Sequence, residues 1–561
     1  MKKTLQVTTL LMIALLSLVS CNLFAKKYSV TYGGNGNTDG SVPVDTQQYV
    51  EGDTVTILGN TGSLIKTGYS FGGWNSSASG SGTNYAPGAT LTMGTSNVTL
   101  YAKWAEITSS FAPLANGIAA SISNFNSKTA IYSILAKMPS SRAEGNSIGS
   151  ASETSFHLYS TTGTSSMITE SAAPLTKSTG IRQSSGVYGD GQTASDERMR
   201  QVEEELLASG SKQLTGSSSR SVKSAPTSIS VGTAWNGVNI YDNNNTLKTI
   251  NTTCRYVSDD AYFFVDNRDT VAMSTYLPGY GTAFDTITGV NHDKFGQERD
   301  VDGNGKVIIV FSEELSGGLL GYFYSVDKYP KTTYSDSNEG DIFYMTTTAA
   351  YQGDIIKGTL AHEFQHMIYF DQHYNNGVTS TYTWLNEALS QAAEFYNGYT
   401  DNHRAWIKSF LDSGWQGLSL TYWTSSNYGY GAIFIRYLID QYGDTAIKNM
   451  CSTGKVGIAA VEDATGVSFN TIFSNFTKAL VMSGTGDSSD TRYNFQTLDL
   501  QNVQSSGRGG LLPYSTVCTA GNNYTGVLYP YEVAFNQWTG TFGTMTLSGS
   551  DFSGTAFGLS R

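Results

Sequence analysis

The chain opens with two lysines, Lys2 and Lys3, followed by a mostly apolar run from Leu5 to Ser20. That run is short for a bilayer crossing and fits an export leader over residues 1–20 better than an anchor helix. No later stretch is apolar enough to cross a membrane. Alternation then takes over. Tyr28-Ser29-Val30-Thr31-Tyr32 and Val98-Thr99-Leu100-Tyr101-Ala102 repeat apolar side chains at every second position, with turn residues between them. Residues 27–104 therefore predict a small strand-rich module. Residues 105–226 are dominated by Ser, Thr, Gly and Ala, as in Gly216 to Ser221, with one helical patch from Asp196 to Ser209. They predict a linker or pro-region. Beyond residue 227, strand-like runs occur at Ser228–Val231, Val238–Tyr241, Ala261–Val265 and Val307–Phe311. Helical periodicity follows at Ile355–Phe370, Trp384–Tyr396 and Ala432–Tyr442. Strands ahead of helices predict an α+β domain over residues 227–485, and residues 486–561 return to strand and turn chemistry.

At 561 residues the chain exceeds one ordinary core, so a multidomain α+β protein is expected. The formal net charge of -12 repels phosphate backbones and argues against nucleic acid as a partner. A monomer is expected. Beyond Cys21, the cysteines Cys254, Cys451 and Cys518 are widely spaced and show no paired ligand pattern. One pair could bridge in an oxidising compartment, and the sequence does not say which.

The chemistry concentrates in His362-Glu363-Phe364-Gln365-His366. On a helix, positions i and i+4 share a face, so both imidazoles can aim at one ion. Glu363 lies where its carboxylate can reach a water on that ion. Ile355, Ile356, Leu360, Phe364, Met367 and Ile368 supply an apolar face to hold the helix. Two histidines leave a zinc site short of one protein ligand. Glu387, 21 residues after His366 in Trp384-Leu385-Asn386-Glu387-Ala388, fits that need. Glu394, seven residues on, is the runner-up ligand or a partner orienting a histidine. The alternative spacing, with Gly three and His six residues after the second His, fails at Tyr369 and Gln372. His373 is expected in a loop. Asp300-Val301-Asp302-Gly303-Asn304 offers half of a calcium pattern, with Asp300, Asp302 and Asn304 as oxygen donors. Phe311 stands where an EF-hand places its bidentate Glu.

Three resemblances follow from these residues. Leu18-Val19-Ser20-Cys21 resembles a bacterial lipobox, which implies cleavage before Cys21 and its acylation. Gly68 to Trp74, with the closing Leu100 to Trp104, resembles the internalin-type B repeat of bacterial surface proteins, a small β-grasp-like module. HEFQHMIYFDQ and WLNEALSQAAE resemble the hyicolysin family of zinc metallopeptidases, which are gluzincins, over roughly residues 227–480. That resemblance implies a thermolysin-like core, one zinc ion and peptide-bond hydrolysis. Asn427-Tyr428-Gly429-Tyr430-Gly431 looks like the gluzincin Tyr-x-x-Gly helix start, which implies that Tyr428 hydrogen-bonds the oxyanion, with Tyr430 as competitor. The Gly-x-Met-Glu-Asn loop of gluzincin aminopeptidases is missing. Gly340 to Met345 fills its place and is expected to be an edge strand able to pair with an extended peptide, favouring an endopeptidase. Expected partners are protein or peptide substrates and, through the lipid, a membrane of the bacterial cell envelope or surface. The competing expectation is a catalytically dead surface adhesin on a protease-like fold.

Overall fold

The computed structural model describes residues 26–106 except 38–39, 62–63, 65 and 67–68. Of 107–226 it describes the strands and the helix named below, with residues 138–147, 150–152 and 225–226. It also describes residues 228–498 except 414–417, 425–426 and 484–489, residue 500, and the strands within 516–559 with residues 529–532. The leader and Cys21 lie outside the described residues. Two compact units emerge, one formed by Met1–Ser109 with Thr485–Asn494 and the other by Ser110–Gly484 with Phe495–Arg561. Together they make a multidomain α+β protein.

In the first unit, the strand Val98–Glu106 sits between Val30–Gly33, its parallel partner, and Tyr69–Asn75, its antiparallel one. The alternation seen in the sequence buries Val30, Tyr32, Leu100 and Ala102 around Trp74, whose indole N–H donates to Leu58 O at 2.9 Å.

The second unit is built on a six-stranded sheet. Its order is Ala234–Tyr241, Leu247–Val257, Ala261–Asp266, Val307–Ser312, Ile342–Thr346 and Gly321–Phe323. The first three strands form an antiparallel meander, and the next two join in parallel. Parallel neighbours need a long crossover, supplied here by the helix Leu277–Phe295. Val307–Ser312 and Ile342–Thr346 are buried along their whole length, which is why their sequences run apolar instead of alternating. Ile342–Thr346 is thus an interior strand, not the edge expected at Gly340 to Met345. The edge is Gly321–Phe323, which pairs antiparallel with it. Ser228–Val231, expected as a strand, is bend and turn ahead of Ala234.

Leu277–Phe295 carries three glycines and three threonines, residues that disfavour a helix in isolation. Tertiary packing explains it. A Cβ on Gly281 would stand 2.4 Å from the Tyr256 ring, so glycine lets the helix lie against the sheet. The motif helix Asp354–Asn375 then packs on it through Phe364, 5.1 Å from Phe284 between ring centroids, and through Asn291 Nδ2, which donates to Ala361 O at 3.0 Å. The helices Thr383–Tyr396 and Tyr428–Ser452 complete the layer.

Residues on either side of this domain in sequence combine into two five-stranded sheets. Ala130–Lys137 lies between Val533–Thr539 and Phe552–Leu559, and Thr154–Ser160 between Asn523–Leu528 and Thr544–Ser548. The stretch expected as linker or pro-region thus supplies the central strand of each. Residues that follow Lys137 reach the helix Thr383–Tyr396. Asn146 Oδ1 accepts the Thr383 N–H at 2.8 Å, capping an end that its own side chains leave open. Glu144 Oε2 accepts the Trp384 indole N–H at 3.1 Å.

Phe364 has no exposed surface and bridges the two long helices. Phe364→Ala should cost about 3–5 kcal/mol of stability. Chemical denaturation of the two proteins measures this, and a loss below about 1 kcal/mol would contradict the packing described.

Candidate metal centre

His362 and His366 both project from the buried face of Asp354–Asn375, one turn apart, with ring centroids 4.9 Å from each other. The helix is buried almost continuously from Ile356 to Phe370, so the imidazoles are carried on a rigid element. A turn reverses the chain, and Glu387 enters from the first half of Thr383–Tyr396, a helix buried from Thr383 to Glu394. Glu387 Oε2 stands 3.3 Å from His362 Nε2 and 3.6 Å from His366 Nε2. One donor atom from each of the three residues falls within a 4.8 Å cluster.

These distances test the fit to zinc. Ligands about 2.0–2.1 Å from a tetrahedral centre stand roughly 3.3–3.4 Å from one another. The observed edges match that spacing. Glu387 is fully buried, and neither of its carboxylate oxygens has a hydrogen-bond partner. A buried carboxylate is costly unless cations face it. Arg200 Nε stands 3.8 Å from Oε1, while Oε2 faces the two imidazole Nε2 atoms, so the three-donor set suits a divalent ion.

The groups behind the ligands are equally specific. Glu394 Oε1 lies 2.8 Å from His362 Nδ1, which leaves Nε2 to point at the cluster. Glu394 thus sits behind His362, and Glu387 is the carboxylate that faces both Nε2 atoms. Asn386 Oδ1 lies 2.9 Å from His366 Nδ1, and Ser390 Oγ is 3.0 Å from the same atom. Asn386 and Ser390 were not singled out in the sequence. Both lie within four residues of Glu387 on its helix, and that proximity was the available signal.

Electrostatics follows from burial and neighbours. Burial, helped by the charge of Arg200, pushes His366 down to about 4, so its imidazole is neutral near pH 7. Burial would also lower His362, but the adjacent carboxylates of Glu387 and Glu394 outweigh it and hold the group well above its usual range. Burial would raise the Glu387 carboxyl, but the paired imidazoles keep it ionised. Glu363, beside the cluster, is raised to about 7 by burial against the opposing charges of His362 and Arg200. Its Oε2 accepts the Phe323 N–H at 3.0 Å, which ties it to the edge strand.

Tyr428 is the first residue of Tyr428–Ser452, and its buried ring is held between Trp406 at 5.1 Å and Trp423 at 5.0 Å. Gly429 permits this: a Cβ there would meet Trp406 O at 2.3 Å. The Tyr428 hydroxyl donates to Asp196, a residue of the helix Asp190–Ala208. Tyr430, the competing tyrosine, donates its hydroxyl to Tyr531 O at 3.2 Å and stacks on Phe410. His373 belongs to the last turn of the motif helix, not a loop. It is buried, with Nδ1 2.8 Å from Tyr369 O, and burial lowers it to about 4.

The second acidic group differs from the one read in the sequence. Asp300 and Asp302 cluster with Asp341, whereas Asn304 turns its amide nitrogen onto Asp302 Oδ2 at 2.7 Å. Asp300 accepts the Gly303 N–H, and Asp341 pairs with Lys328 and accepts the Val301 N–H. Each carboxylate thus has a protein donor. Cys254 and Cys451 are buried free thiols, so no bridge joins them.

Residues 28–103 match the family described as the Listeria-Bacteroides repeat domain. A separate likeness is to the neutral metalloprotease ShpI of Staphylococcus hyicus, 31% identical over 211 residues, or 33% of this chain and 47% of that protein. Two proteins of Evansella cellulosilytica named for membrane location match at 42% and 41% over 78 residues, 14% of this chain and 9% and 11% of theirs. The chain thus spans about half of the metalloprotease relative and about a tenth of the other two. The first likeness supports a metallopeptidase relationship and a metal of the kind such proteins hold.

If Glu394 orients His362, Glu394→Gln should weaken zinc binding about 10- to 100-fold while leaving the three ligands in place. Competition with a fluorescent zinc chelator measures the affinity. An unchanged value would show that Glu394 is only a packed helix acid.

Proposed function

We propose that the chain is a zinc-dependent endopeptidase of the bacterial cell envelope. The observation that carries this reading is the buried Glu387 carboxylate, which accepts no hydrogen bond and stands 3.3 and 3.6 Å from two imidazole Nε2 atoms. The likeness to a neutral metalloprotease and the hyicolysin-like motifs point the same way.

His362, His366 and Glu387 would hold the metal. When bound, zinc supplies Lewis acidity, polarising a peptide carbonyl and easing deprotonation of water. Glu363 takes the proton from the attacking water and delivers it to the departing amine. Its carboxyl, raised to about 7, suits both halves of that exchange near neutral pH. Tyr428, once parted from Asp196, donates its hydroxyl hydrogen bond to the oxygen that gains charge. The edge strand Gly321–Phe323 offers main-chain groups to an extended substrate, which favours cleavage within a chain. A calcium ion at the cluster of Asp300, Asp302 and Asp341 is not needed for this chemistry.

Among the described residues, no helix is long and apolar enough to cross a membrane. Membrane attachment in this proposal comes from acylation of Cys21, and the repeat module of residues 28–103 serves as a spacer.

The test compares the zinc-loaded chain with Glu363→Gln, each in the parent and in an Asp196→Ala background that frees Tyr428. Glu363→Gln should retain zinc and lose about 10²–10⁴ in kcat/KM on a fluorogenic peptide library. Equal rates with and without Glu363, or zinc-loaded protein that cleaves nothing in either background, would favour the inactive adhesin.

A further inference from the structure

The helix Asp190–Ala208 precedes the metal domain by sequence yet meets the metal centre in space. Its buried residues are Ser195, Asp196, Met199, Arg200, Glu203, Leu206 and Leu207, while Glu197, Gln201 and Glu205 are exposed. The spacing places Asp196, Arg200 and Glu203 on one face. Three ionisable side chains on the inward face of a helix are a poor way to gain stability, since each charge loses its hydration. They are tolerated only where specific partners receive them.

All three find those partners at the catalytic constellation. Asp196 accepts the Tyr428 hydroxyl hydrogen bond. Arg200 Nη1 pairs with Glu203 Oε2 at 2.8 Å, and Arg200 Nε lies 3.8 Å from Glu387 Oε1. Glu203 Oε1 accepts Asn386 Nδ2 at 3.2 Å. The same helix packs against the edge strand Gly321–Phe323 and the turn Ser325–Lys328 that follows it. Arg198 adds a guanidinium 4.8 Å from the Tyr241 ring. The helix therefore engages the proposed transition-state donor, the residues around the metal and the strand that would pair with a peptide.

We propose that Asp190–Ala208 is an inhibitory segment acting in cis, seated in the substrate cleft of the metal centre by Asp196 and Arg200, so that peptides are hydrolysed only once it is displaced. The inference rests on the peptidase reading. It also divides the stretch before the metal domain by role. Ala130–Lys137 and Thr154–Ser160 are central strands, and Glu144 and Asn146 hold the Glu387 helix, so those residues stay with the working enzyme. Asp190–Ala208 occupies what a substrate needs.

The test uses the full chain loaded with Co²⁺, whose visible spectrum reports binding of the small metal-directed probe acetohydroxamate. The parent, Asp196→Ala, Arg200→Ala and the double variant are titrated, with Glu197→Ala on the exposed face as control. The double variant should bind the probe at least about tenfold more tightly than the parent, as expected when a cleft is opened most of the time instead of rarely. Its zinc form should cleave peptide at a correspondingly higher kcat/KM, and Glu197→Ala should match the parent in both. If either Ala variant fails to fold, Asp196→Asn and Arg200→Gln take its place. Equal probe affinity in the parent and the folded double variant would overturn the inhibitory role and leave the peptidase reading standing. Tighter probe binding without peptide cleavage would sustain the inhibitory seat and overturn the peptidase reading.

Discussion

A carboxylate buried without a hydrogen-bond donor is one of the more expensive objects a fold can hold. Glu387 is such a group, and two imidazoles face it at the spacing of a tetrahedral site. The surrounding architecture serves to make that arrangement rigid. The motif helix is fixed by aromatic packing onto the crossover helix, and the Glu387 helix is capped from outside by Asn146. Glu394 and Asn386 then set the two rings. The ring nitrogens that point away from Glu387 are already held by Glu394 and Asn386, which leaves the facing donors for an ion. The site makes physical sense as half of a coordination sphere.

The clustering of His362, His366 and Glu387 was legible because its signal is local. HEFQH puts two histidines one helical turn apart, and WLNEA follows on an amphipathic helix close enough to fold back. The buried interior strands were equally legible as apolar runs. What escaped was set by partners distant in sequence. The edge strand is three residues, Gly321–Phe323, too short for alternation to register, so Gly340 to Met345 with its stronger apolar run was expected there instead. Leu277–Phe295 has the glycines of a loop and becomes a helix only because Gly281 fits against Tyr256. Ala130–Lys137 and Thr154–Ser160 pair with strands nearly four hundred residues later, and no local pattern announces that. The calcium pattern omitted Asp341 because it comes from the adjacent strand's approach, outside the loop.

The helix Asp190–Ala208 shows the same limit in sharper form. Its apolar residues are few, so by periodicity it is a weak amphipath beside Ser/Gly-rich sequence. Its inward face is instead charged, and charged residues at helical spacing ordinarily mark a solvated surface. Only the positions of Tyr428, Glu387 and Asn386 show that these charges have buried partners. A segment that must be held firmly and later let go gains from such contacts. They are specific in place, and they cost little to give up when water can solvate each partner again.

The central claim is that two imidazoles and the Glu387 carboxylate bind one zinc ion. X-ray absorption at the zinc edge, on protein loaded with one equivalent, tests it most directly. The account predicts a shell of two histidine nitrogens and oxygen at about 2.0–2.2 Å, with one oxygen ligand lost or replaced in Glu387→Ala. A zinc shell without histidine, or one that is unchanged when Glu387 is removed, would contradict it.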